Sequence, residues 1–245
     1  MLTILAYLVV GIFVVGFTQR ILLYARSPAP LKIPTTPAPT TTAGVVWRLF
    51  TEVVFFNSLF KGDKWAWLGG YLFHGALLLV LIRHLRYFVE PLPPFFAHVQ
   101  IAGVVAGVAM VGGLGLLLLR RLLIDRVRHV SSPSDYLWLL LLLGIGFSGL
   151  VMQFFLRPDI VHIKGAMMGM WSSSQSLPLL TLGDVVFLAH LCMVAVLIVL
   201  FPFSKLMHAG GIFFSPTRNQ VDNPREKRHV NPWAAGQHTK ESTHG

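Results

Sequence analysis

Residues 65–87 read WAWLGGYLFHGALLLVLIRHLRY. Up to Ile82 the stretch contains no Asp, Glu, Lys or Arg, and it carries two histidines, His74 and His84. An apolar run of about 20 residues is what a helix needs to cross about 30 Å of hydrocarbon. Four more stretches share this character: 1–19, 99–119, 136–156 and 185–204, the last extending past Lys205 to about residue 208. None shows the period-two alternation of a membrane barrel. Backbone groups in lipid must pair within their own segment, so all five are predicted as helices. The expected fold is all-α and polytopic, with five transmembrane helices.

Composition agrees. The 245 residues are 54% hydrophobic and 12% charged, against about 25% charged in a typical soluble domain. Mean hydropathy is +0.66. These values exclude a disordered chain and argue against a water-soluble enzyme. Only 10 acidic residues are present, and a single cysteine, Cys192. One thiol cannot build a disulfide framework or a four-thiolate iron–sulfur cluster within the chain.

The net charge of +10 finds its meaning in its distribution. With the N-terminus outside, the inner segments 20–64, 120–133 and 205–245 hold six, four and six of the 20 basic residues. The outer side keeps Arg83, Arg86, Arg157 and Lys164. The positive-inside rule therefore predicts N-out and C-in. The charge marks topology, and no nucleic-acid partner is needed to explain it. The first stretch lacks a basic start and a small-x-small cleavage site, so it is read as a retained helix.

Outside the spans, residues 28–42 form a Pro/Thr linker and 45–60 a helix lying in the cytoplasmic interface. The expected organisation is a membrane domain over 1–214 and a polar, basic cytoplasmic tail over 215–245. Gly103 and Gly107 stand at GxxxG spacing, followed by Gly112, Gly113 and Gly115; the set is read as close helix packing, with close approach to a cofactor as the alternative. Arg120 and Arg121 are read as topology determinants.

Intramembrane imidazoles are costly and mark function. Four histidines lie in or at the ends of spans: His74 and His84 on the second, His190 and His208 on the fifth. The two spans run in opposite directions, so His74 matches His208 in depth near the inner face, and His84 matches His190 near the outer face. Facing neutral imidazoles suit the axial positions of haem iron. No C-x-x-C-H is present, so the haem would be of b type. The spacings differ: ten residues rise about 15 Å and eighteen about 27 Å on a straight helix. Tilt and a bend at Pro202 are expected to absorb the difference. Arg83 and Arg86 flank His84 as candidate contacts for a haem propionate or a quinone, with interfacial anchoring as the plainer alternative.

The 10- and 18-residue spacings and the five-helix, N-out layout resemble the cytochrome b (gamma) subunits of respiratory nitrate reductases. The strings LFKGDKWAWLGGYLFH (59–74), RHLRYF (83–88), PFSKLMHAGGIFFSPTRN (202–219) and RHVNPW (228–233) resemble one branch of that superfamily. This branch is DsrM, the membrane cytochrome b of the sulfite-reduction-associated Dsr (DsrMKJOP) complex. The resemblance implies two haem b, ligated by His74 and His208 on the inner side and by His84 and His190 on the outer side. It also implies a quinone or quinol as exchangeable substrate near the outer haem. The implied partner is a cytoplasmic iron–sulfur subunit related to heterodisulfide reductase (DsrK-like), with other subunits of a membrane complex. The implied location is a bacterial or archaeal cytoplasmic membrane. A nitrate reductase subunit, and a haem-free transporter or assembly factor, are the alternatives.

Overall fold

The computed structural model describes residues 2–28, 34, 37–94, 96–169 and 181–223. The RHVNPW string, and most of the tail that begins at Ser215, lie outside the described residues. The helices, in chain order, are α1 (Leu2–Arg26), α2 (Thr42–Phe55), α3 (Asn57–Gly62), α4 (Lys64–His84), α5 (Phe96–Leu123), α6 (Asp125–Val130), α7 (Pro133–Val151), α8 (Ile160–Gly169), α9 (Leu182–Leu200), α10 (His208–Gly211) and α11 (Pro216–Asn219). No strand occurs among the described residues.

All five expected spans form, as Thr3–Arg26, Lys64–Tyr87, His98–Leu123, Pro133–Leu156 and Leu182–Phe203. Their outer surfaces are strongly apolar: Ile101 is 77% and Phe155 80% exposed. A large aliphatic or aromatic side chain left in water forfeits about 1.5–3 kcal/mol relative to burial. Rows of them along five helices are stable only in hydrocarbon, and the chain is a multi-pass membrane protein.

Polar residues define the helix starts. The Asp63 carboxylate accepts the Ala66 N–H at 2.9 Å and caps α4. At α7, Asp135 accepts both the N–H (2.9 Å) and the hydroxyl (3.0 Å) of Ser132. At α9, Thr181 and Asp184 cap each other reciprocally. Such caps satisfy the orphan N–H groups of a first turn.

The chain divides into two compact units, Met1–Val14 with Ser58–Phe201, and Val15–Asn57 with Pro202–Gly245. In the first, α5 packs along α4 and against α7, and α7 packs against α9. Phe73, Ala76, Ala106, Met110, Leu114 and Leu139 form its buried core. The α4–α5 contact is closest at Gly113, where a Cβ would stand 3.0 Å from both the Gly69 carbonyl oxygen and the Phe73 nitrogen. Gly113 is one of the small residues of the third span read as close helix packing. Gly103 faces the side chain of Arg83, and Gly107 faces Leu150.

At the end of this unit where α4 begins, Arg120 forms an ion pair with Asp63. Arg121 donates to the Ser131 hydroxyl at 2.7 Å and lies 3.7 Å from Asp135. These two arginines, which topology alone accounted for, thus tie α5 to the caps of α4 and α7.

The second unit differs from expectation at two places. The fifth span was expected to stay helical to about residue 208. It ends earlier: α9 stops at Leu200, a 3-10 turn covers Phe201–Phe203, and Ser204 is extended. Pro202 has no N–H to continue the ladder, and its carbonyl accepts instead from Arg20 Nε at 3.2 Å. Gly16, one turn before Arg20, makes room for the proline ring. The straight 27 Å rise between His190 and His208 therefore does not apply. The start of the tail is also tied to its own chain. Arg218 reaches Glu52 of α2 at 2.8 Å, and the Asp222 N–H donates to the Pro39 carbonyl at 2.9 Å.

Candidate functional site

The C-terminal end of α4 and the N-terminal half of α9 bring His84 and His190 together. Their rings are parallel within 7°, with centres 6.4 Å apart. While α4–α5, α5–α7 and α7–α9 are close-packed through their backbones, α4 meets α9 through this ring pair.

Each ring is held by its Nδ1. His84 Nδ1 lies 2.7 Å from the Val80 carbonyl, one turn back on α4. A carbonyl only accepts, so in the neutral ring the proton sits on Nδ1 and the lone pair on Nε2. His190 Nδ1 lies 2.8 Å from the Ser148 hydroxyl of α7. That hydroxyl donates its own proton to the Ile145 carbonyl at 3.0 Å, so it accepts from His190 and fixes the same tautomer. Both Nε2 atoms thereby keep the lone pair and are the nitrogens available to a metal, were one bound.

The spacing fits a metal between them. Two imidazoles trans on one metal, with about 2.0 Å from metal to each nitrogen and about 1.1 Å from nitrogen to ring centre, place their centres about 6.2 Å apart. Among the described residues no three His, Cys, Asp or Glu side chains converge. The pair therefore offers two ligands only, as an axial site needs when a macrocycle supplies the other four. The donor set and the distance fit a haem.

His74 sits on the same helix ten residues earlier, with its Nδ1 2.7 Å from the Gly70 carbonyl. In the second unit His208 opens α10, with its Nδ1 2.9 Å from the Lys205 carbonyl. Both are therefore Nδ1-protonated when neutral. The in-turn bond alone is not diagnostic, since exposed His129 makes the same bond to Asp125.

A polar cluster flanks the His84–His190 pair. Arg83 Nη2 donates to the Gln153 side chain at 2.7 Å, and its Nε to Gln100 Oε1 at 3.4 Å. Arg86 donates to the same Gln100 oxygen at 2.5 Å and to the Tyr87 hydroxyl at 3.1 Å, with its guanidinium 4.9 Å from the Tyr87 ring centre. Arg86 Nε is buried without a partner. The two arginines thus differ: Arg83 knits α4 to α5 and to the π turn Met152–Leu156, whereas Arg86 keeps a donor in reserve. The helix α8 covers this end through Ile163 and Met167, which pack with Tyr87, Met152, Phe187 and Leu191. Lys164 of α8 forms an ion pair with Glu90.

Sequence reading singled out four histidines and both arginines, and of these the structure places Arg83 and Arg86 beside the His84–His190 pair. It missed Ser148, Gln100 and Gln153. The sequence marks these only as polar side chains in or near apolar spans, and the partner each takes is set by how the helices pack.

Five membrane helices with an imidazole pair held between two of them define a class: multi-pass integral membrane proteins with paired histidines inside the helix bundle. The chain belongs to the nitrate reductase gamma subunit family, which matches residues 41–223. It is 39% identical to an Hdr-like menaquinol oxidoreductase cytochrome b-like subunit of Archaeoglobus fulgidus, over 94% of this chain and 82% of that protein. Its identity to the protein of the same description from Archaeoglobus profundus is 35%, over 94% and 81%. The nitrate reductase gamma chain of Bacillus subtilis is 32% identical over 57% of this chain and 70% of its own length.

Proposed function

We propose that this protein is the membrane cytochrome b subunit of a quinone-linked respiratory complex. It links the quinone pool to a cytoplasmic iron–sulfur subunit related to heterodisulfide reductase, in dissimilatory sulfur metabolism. The observation that carries the reading is the His84–His190 pair, parallel and 6.4 Å apart, in a chain whose relatives include a menaquinol oxidoreductase cytochrome b-like subunit.

His84 and His190 are assigned to an outer haem b and His74 and His208 to an inner one. The outer assignment rests on the ring geometry, the inner one on depth in the sequence and on family resemblance. Haem supplies a one-electron iron couple at each site when bound. The chain's own part is to fix each imidazole by its Nδ1, to seal the outer end with α8, and to meet negative charge with Arg86. The unpartnered Nε of Arg86 suits a propionate carboxylate or a quinone oxygen, and Arg83 holds the frame beside it.

A quinol oxidised at the outer end gives up two electrons and two protons, and the electron path is set across the membrane by two sites at different depths. The basic inner segments orient the chain with its N-terminus outside and offer the cytoplasmic partner a complementary surface. The match to the Archaeoglobus proteins over 94% of the chain favours an Hdr-like partner over a nitrate reductase one.

Purification of the intact complex from native membranes tests this. An iron–sulfur subunit of the heterodisulfide reductase type, together with reduction of the cytochrome by a naphthoquinol, is the expected result. A molybdenum-containing partner would move the protein to nitrate respiration, and a cytochrome unresponsive to any quinol would overturn the quinone link.

A further inference from the structure

The rings of His74, His84, His129 and His208 all bond to carbonyls within their own turn of chain. His190 instead sends its Nδ1 to a different helix, to the Ser148 hydroxyl at 2.8 Å. Ser148 is prepared for this. Its proton is committed to the Ile145 carbonyl at 3.0 Å, so its oxygen faces α9 as an acceptor. The neighbouring Gly149 lies beside the imidazole, where a Cβ would stand 3.7 Å from His190 Cε1, an ordinary contact. One turn earlier, a Cβ on Gly144 would stand 3.1 Å from Met193 Sδ. Small residues thus bring α7 close to α9 along the face where Ser148 meets the ring.

From this we propose that Ser148 is a positioning residue for the axial ligand His190. It fixes the tautomer and rotation of the ring and sets the electron density that the ring gives to the metal. The inference rests on the reading of His84 and His190 as a haem site.

The direction of the effect follows from the chemistry. An acceptor on Nδ1–H makes an imidazole a stronger donor at Nε2. A stronger axial donor stabilises the oxidised iron and lowers the potential of that site. The same hydrogen bond holds the His190 ring in its rotation. Without it the ring is free to turn about its χ2 torsion, which is broad for an sp²-terminated side chain. The other ligand, His84, keeps its carbonyl partner on α4, so the perturbation is confined to one side of one site.

The test compares wild type, Ser148→Ala and Ser148→Thr in the intact complex in native membranes. A threonine hydroxyl in a helix bonds the same i−3 or i−4 carbonyl and keeps the acceptor. Redox titration of the optical spectrum and the low-spin EPR signals are the readouts, with haem content measured in parallel. The expected result is an upward shift in the potential of one haem and a change in its EPR signal in Ser148→Ala, the other haem unchanged, and recovery in Ser148→Thr. Loss of one haem in the alanine variant with its return in the threonine variant equally supports the positioning role. Unchanged potentials and EPR signals in Ser148→Ala, with wild type showing two bis-histidine haems, would overturn the role of Ser148 and leave the haem assignment standing. A haem loss that threonine does not restore would also overturn it, as would equal shifts at both haems. Wild type without bis-histidine signals would instead refute the reading on which the inference rests.

Discussion

Replacement of Gly103 by alanine tests whether this small residue of α5 makes room for the Arg83 side chain of α4. A Cβ built on Gly103 would stand 2.9 Å from Arg83 Cβ and 3.1 Å from its Cγ, and would also meet its Cδ. Ordinary carbon contacts are about 3.5–4.0 Å, so the neighbour must yield by about half an ångström or more. Arg83 Cβ is fixed by the α4 backbone, and the far end of the side chain is bonded to Gln100 and Gln153. The strain therefore falls on the α4–α5 packing. Overpacking of this kind costs about 1–3 kcal/mol, partly offset by up to about 1 kcal/mol from the better helix propensity of alanine. A net loss of about 1–2 kcal/mol is expected. Gly112 and Gly115 provide the internal control, since a Cβ there meets nothing within 4 Å. Thermal denaturation of the detergent-solubilised protein, followed by the cytochrome Soret band, should rank Gly103→Ala well below the two controls. A Gly103→Ala variant as stable as Gly112→Ala would refute the assignment of this small residue to Arg83.

Three further outcomes follow from contacts away from the histidine pair. The hydrogen bond from the Ala66 N–H, and secondarily the Arg120 side chain, hold the Asp63 carboxyl below its ordinary value of 3.8. Its contribution is thus complete above about pH 4 and is lost as pH falls further, through the lowered native value. Asparagine keeps the cap and loses the charge, so Asp63→Asn should cost about 1 kcal/mol at neutral pH and flatten the acid limb of a stability–pH profile. Arg218→Ala leaves Glu52, which is only 8% exposed, without this partner. It should cost about 2–4 kcal/mol and raise the rate of limited proteolysis around residues 215–223. Arg86→Ala should slow quinol turnover by tenfold or more, about 1.4 kcal/mol, or shift the potential of the haem assigned to His84 and His190 by about 60 mV, the same free energy for one electron, with both haems retained. Arg83→Ala should act first on stability, because its guanidinium bonds Gln100 and Gln153.

The fold was legible because the constraint is severe. Hydrocarbon demands internally paired backbone, and five long apolar runs leave one solution. The histidines were legible for the same reason, since imidazoles in such runs need a purpose. The end of the fifth span was not. Pro202 announced a bend, but the break at Ser204 depends on Arg20 taking the Pro202 carbonyl, and that pairing joins residues far apart in sequence. The small residues on α5 marked close packing, but a glycine records only that something approaches, not what. Here the approaching group at Gly103 is an arginine. Ser148 was silent because its hydroxyl acquires its role from the register of α7 against α9. Gln100 and Gln153 were equally silent, since their value lies in converging on Arg83 from two helices.

The central claim is that four histidines hold two haems in pairs. Haem content by pyridine haemochrome and EPR, on wild type and on the four single His→Ala variants in native membranes, tests it most directly. Wild type should hold two haem b per chain, both bis-histidine. His84→Ala and His190→Ala should each lose the same haem, and His74→Ala and His208→Ala the other. A wild-type protein without haem, or loss of the same haem in His84→Ala and His208→Ala, would contradict it.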